Sequence, residues 1–173
     1  MKFMGHPIHP MLVVFPLGLL ATSLGFDVGY LVTGNSELAI VSYWMISAGI
    51  IGGLLAAIFG AIDWWGIPAN TRAKAIGLWH GLGNVVVLLL FVGSWYLRRG
   101  AVYYEPSSAA ITLSCFGVGL ALITGWLGAE LVDRMAIGVD EGAHADSPNS
   151  LSGRPASEQD RAHAARSPRS SRA

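Results

Sequence analysis

Charge is scarce in this sequence: only 13% of its 173 residues are Asp, Glu, Lys or Arg, about half the share of an ordinary soluble domain. Scarcity on that scale, beside 53% hydrophobic residues, points away from a soluble domain and toward a membrane protein. Charge of either sign is also not in excess, since the formal net charge is zero, and no basic stripe offers a nucleic-acid footprint. Cysteine occurs once, at Cys115 inside an apolar run, which excludes an intramolecular disulfide and reads as a small core residue. Motifs of hydrolytic chemistry are missing as well: the chain contains no GxSxG, no HExxH and no phosphate loop.

What the sequence does contain is long apolar runs. Four stretches, at about 11–33, 38–62, 76–97 and 108–132, reach the roughly 20 residues that a helix needs to cross a hydrocarbon layer about 30 Å thick. The first is longer than a signal-peptide core and its histidine–proline start is not a signal n-region, so it reads as a span. Connections such as TGNSE, WWGIPANTRAK and RRGAVYYEP carry Gly, Asn or Pro where a helix should stop, and short connections imply antiparallel neighbours. The predicted fold is therefore all-α: an integral membrane four-helix bundle of antiparallel up-down topology over 1–138, followed by a disordered polar tail over 139–173. The tail histidines His144 and His163 are expected to be solvated.

Tyr and Trp gather at the span ends, at Tyr43, Trp44, Trp64, Trp65, Trp79, Trp95 and Tyr96 among others, as rings at headgroup level do. Lys2, Arg72, Lys74 and Arg134 flank one face and Arg98 and Arg99 the other, which predicts a multi-pass protein of the cell (inner) membrane with both termini in the cytoplasm. In the second span Gly49, Gly53, Ala57 and Gly60 recur at steps of three and four residues, a small-residue face for close helix packing, within the bundle or in a homo-oligomer.

Alternating direction has a further consequence. The start of span one, the end of span two, the start of span three and the end of span four share one side, so His6, His9, Asp63, His80, Glu130 and Asp133 are expected together there. On span three Gly77, His80, Gly81 and Asn84 form one small and polar stripe. Ionisable residues at membrane depth are costly and mark sites. GHPIHP is predicted to be a stiff, extended cap before a helix that starts near Pro10, because residues preceding proline avoid the α region. Asp27, near the opposite end of span one, is expected to pair with Arg98, Arg99 or Ser23.

His6, His9 and His80 are thus the candidate metal or haem ligands, with Asp63, Asn84, Glu130 and Asp133 as supporting groups or proton carriers. Neutral imidazoles suit a transition metal such as Zn, Fe, Cu or Ni, and two of them suit a single haem b held between helices. Titration of the same histidines could instead serve proton-coupled transport. The main alternative, ahead of transport, is a non-catalytic scaffold or partner subunit that associates through the glycine face.

GHPIHPMLVVFPLGLL at the start, IDWWGIP after span two, WHGLGN opening span three and GWLGAELV closing span four resemble the bacterial predicted membrane proteins grouped as domain of unknown function 2231. The resemblance covers about residues 3–139. It implies a four-span membrane module and, because some relatives carry a Rieske-type iron–sulfur domain, a redox setting with a redox partner protein. This chain has no Rieske ligand set of its own.

Overall fold

A computed structural model describes residues 2–158. Four helices account for most of it: α1 (Ile8–Thr33), α2 (Ser36–Trp65), α3 (Arg72–Arg98) and α4 (Ser108–Asp133). Each is long and apolar enough to cross a membrane. The turns follow from local chemistry. Gly34 ends α1 in the left-handed conformation and donates to Tyr30 O, after which Asn35 caps α2 by accepting from the Glu37 amide. Thr71 and Ser107 cap α3 and α4 in the same way, accepting from Lys74 and Ala110. The α2–α3 turn is clamped by a reciprocal pair, in which Trp64 Nε1 donates to Lys74 O while Lys74 Nζ donates to Trp64 O and lies 3.9 Å from the Trp64 ring.

The N-terminal segment differs from the extended cap expected for GHPIHP. Two short strands, β1 (Lys2–Phe3) and β2 (His6–Pro7), form an antiparallel hairpin around Met4 and Gly5, both at positive φ as a tight primed turn requires. α1 then starts at Ile8, so His9 lies inside the helix and not ahead of it. The first N–H groups of a helix have no intrahelical acceptor, so Pro10 forfeits no bond at the third position. A hydrogen bond from His9 to the neighbouring helix anchors that turn. Residues 139–158, the near part of the expected polar tail, form turns and a single 3-10 turn, Ser150–Ser152, that lie over the hairpin. Lys2 pairs there with Asp140, and Ser150 Oγ donates to Met4 O. His163 lies outside the described residues.

Burial is inverted relative to a soluble bundle. Large apolar residues such as Phe15, Leu55, Leu89, Phe116 and Ile123 face outward, whereas Ser23, Asp27, Ser42, Ser94, Arg98 and Ser114 have no exposed surface. Cys115 is exposed on the outer surface of α4, which corrects the expectation of a core residue. Its neighbours in sequence are apolar because they face lipid as well as core. Leu20, Ile46, Val87 and Phe91 fill the centre.

The helices pack as two tight hairpins, α1–α2 and α3–α4, with α2–α3 and α1–α4 completing the square. The hairpins repeat one another. The 71-residue step that separates Asp27 from Arg98 also relates His9 to His80, Leu20 to Phe91 and Ser23 to Ser94. A second constant step relates Gly49 to Gly117, Ala56 to Thr124 and Gly60 to Gly128. The contacts repeat with the residues: Leu20 sits against Gly49 as Phe91 sits against Gly117, each closer than a Cβ would allow. Two equivalent pairs meet each other directly, Asp27 with Arg98 and His9 with His80. Residues that touch their own equivalents lie on the axis relating the halves. With one such pair near each end, that approximate two-fold axis runs along the bundle.

Candidate functional site

One end of the axis carries the two imidazoles. His9, in the first turn of α1, and His80, in the third turn of α3, have ring centroids 6.2 Å apart with planes at 89°. Each ring is held by the partner helix of its own hairpin. His9 Nδ1 lies 2.9 Å from Ala56 O on α2, and His80 Nδ1 lies 2.8 Å from Thr124 O on α4. A carbonyl can only accept, so each Nδ1 carries the proton and each Nε2 keeps its lone pair in the neutral ring. One turn beyond those carbonyls, Gly60 and Gly128 make room: a Cβ on either would stand 3.0 Å from the imidazole Cε1. Helix, carbonyl and glycine thus recur in the same relation in both halves.

Asn84 completes the His80 side. Its side-chain amide bonds His80 O at 2.8 Å and stands 3.3 Å from His80 Nε2, while Asn84 Oδ1 accepts from Thr124 Oγ1. Thr124 therefore touches the site twice, through its carbonyl to the ring and its hydroxyl to the amide. Both His9 and His80 are half-buried.

The other residues expected at this end are distributed around it. His6 lies on β2, exposed, with Nε2 3.4 Å from Ser150 Oγ. Glu130 is engaged by Arg72 at 2.8 Å, an ion pair that ties the start of α3 to the end of α4. Asp133 is exposed at the end of α4, and Asp63 is half-buried at the end of α2. Among the described residues no group of three His, Cys, Asp or Glu side chains is placed to hold one metal ion. The small-residue face of α2 is turned inward at three positions, where Gly49 seats Leu20, Gly53 seats Leu88 and Gly60 seats His9, while Ala57 is exposed.

The opposite end of the axis holds a buried ion pair. Arg98 forks onto Asp27 at 2.6 and 2.7 Å, and its remaining N–H groups reach Ser42, Ser94 and Ser114. Every buried polar side-chain atom among the described residues has a partner. Stacked Tyr43 and Tyr104 rings, 4.0 Å apart, close this end over the α3–α4 connection.

His9, His80 and Asn84, candidates from the sequence, lie together at this end, whereas the Ala56 and Thr124 carbonyls and the Gly128 seat were not foreseen. Backbone acceptors leave no residue signature. The signal that would have found them is the repeat itself, through which His9 and Gly60 predict a second carbonyl and glycine beside His80.

No match was found among curated proteins or among solved structures. Residues 5–141, which span all four helices, match the family described as Predicted membrane protein (DUF2231). The chain belongs to that family, and its four helices are each long and apolar enough to cross a membrane.

Proposed function

We propose that this protein is a redox-associated membrane module that holds a single metal centre, as an ion or as a haem iron, between His9 and His80. The observation that carries the reading is the matched presentation of the two rings. Both donate Nδ1–H to a backbone carbonyl, the outer hydrogen bond that commonly fixes the tautomer and orientation of a metal-binding histidine. Their 6.2 Å centroid spacing is close to the roughly 6 Å of two imidazoles sharing one metal at about 2 Å per nitrogen. Asn84 and Thr124 position His80. Asp63, Glu130 and Asp133 lie at the same end as acids that can relay protons to the mouth.

The bias of Lys2, Arg72, Lys74 and Arg134 supports a cytoplasmic location for this mouth and for both termini of an inner-membrane protein. Burial of Arg98 in its ion pair adds to the bias, because Arg99 is then the solvent-facing cation of that pair at the opposite end. A scaffold role has less support, since most of the glycine face of α2 is spent inside the bundle.

The test is elemental analysis together with absorption spectra, before and after dithionite, on one sample of full-length protein purified in detergent without chelator. A stoichiometric metal or a Soret band, lost in both His9→Ala and His80→Ala, is expected. Neither signal in wild-type protein supplied with metals and haem would refute the reading.

A further inference from the structure

The number and symmetry of the ligands at this end of the axis narrow the kind of metal it can hold. Two imidazoles, related by the approximate two-fold axis with ring centroids 6.2 Å apart, are the donor set that the helices build. Among the described residues no third His, Cys, Asp or Glu joins them. Zinc is almost always four-coordinate in structural sites, and in catalytic ones it keeps three protein ligands; magnesium and calcium take oxygen. A metal served by two nitrogens must either bring its own equatorial donors, as haem iron does, or be satisfied with two.

Packing separates these choices. A porphyrin between the rings would need a slot beside them, and four glycine hollows near the rings are already filled, whereas Gly81 next to His80 borders open space. His9 occupies the hollow at Gly60, His80 that at Gly128, Trp64 that at Gly77 and Thr124 that at Gly83. Asn84 stands 3.3 Å from His80 Nε2, inside the volume a macrocycle would claim, but its amide can swing aside for a single ion.

We infer, building on the two-histidine metal centre proposed above, that the occupant is a two-coordinate, monovalent d10 cation of the cuprous type, bound linearly between His9 Nε2 and His80 Nε2. Neutral imidazoles supply the donors, and a single positive charge is a smaller burden at the edge of a low-dielectric layer than a double one. The symmetric setting favours a linear ion on the axis.

Cuprous ion, kept reduced by ascorbate and delivered from a colorimetric chelator, is the probe for full-length protein in detergent. One Cu(I) per chain is expected, with X-ray absorption showing two nitrogen scatterers at about 2 Å and no sulfur. His9→Ala and His80→Ala should each weaken binding at least a hundredfold. Ser23→Ala, which alters a buried residue of α1 near the opposite end of the axis and touches neither ring, should retain one Cu(I) and serves as the control for a fold disturbed by substitution. Zn(II) bound more tightly than Cu(I), or a haem taken up with a Soret band that depends on both histidines, would overturn the cuprous assignment and leave the two-histidine centre standing. Failure of wild-type protein to bind cuprous ion, zinc or haem would overturn both.

Discussion

Asp27 and Arg98 bring two full charges into the bundle with no exposed side-chain surface, so each depends on the other for compensation. Removing one member leaves a buried charge unpaired, which costs about 3–5 kcal/mol in proteins generally. Asp27→Ala is therefore expected to lower stability by about that amount, read from denaturant unfolding in detergent. Arg98→Lys should be nearly as harmful, because an ammonium cannot reproduce the two-pronged bond or reach three serines at once. Exchanging the pair, with Asp27→Arg and Arg98→Asp together, should recover part of the loss; a double variant no better than the sum of the two single ones would contradict the ion-pair account. The sequence pointed to Asp27 pairing with Arg98, Arg99 or Ser23, and only packing could choose among them. Glu130, on the same side as the histidine site, pairs with Arg72 at the start of α3.

On the scale of single elements, the start of α1 matters most. The prolines of GHPIHP suggested extended backbone, yet one proline sits before the helix and the other in its first turn, where neither breaks a bond. This lifts His9 onto a rigid element. Helix α2 then presents Ala56 O to the ring and Gly60 beneath it, so ring position depends on the closeness of α1 and α2. Gly60→Val should push the His9 imidazole off its carbonyl and weaken metal binding at least tenfold, with a much smaller stability loss than Asp27→Ala. Gly128→Val should do the same through His80. A Gly60→Val protein that binds metal like wild type would show that the seat is irrelevant to the site. Four spans were legible because apolar length is a strong signal and caps such as Asn35, Thr71 and Ser107 are local. The hairpin of β1 and β2 was not, since its turn depends on positive φ at Met4, a residue with no preference for it.

Considered whole, the molecule is two helical hairpins related by an axis along the bundle, with paired histidines near one end and a salt bridge near the other. That duplication was hidden in the sequence. Positions facing lipid need only be apolar and diverge freely, so identity survives at a few inward places such as His9 and His80, Ser23 and Ser94, and Gly60 and Gly128. An even number of spans places both termini on one side of the membrane. Reporter fusions at the two ends should give the same compartment signal, and the positive-inside bias predicts the cytoplasmic one; signals from opposite sides would contradict four spans, whereas a shared non-cytoplasmic signal would reverse only the orientation.

The proposed shared centre would take one ligand, His9 or His80, from each half. Its most direct test is metal stoichiometry and affinity, measured by competitive titration on wild-type protein, His9→Ala, His80→Ala and the double variant. The account predicts one metal per wild-type chain and the same severe loss in all three variants, because one ion or one iron is held from both sides. A single variant that keeps wild-type stoichiometry and affinity would show that the two rings do not share a metal.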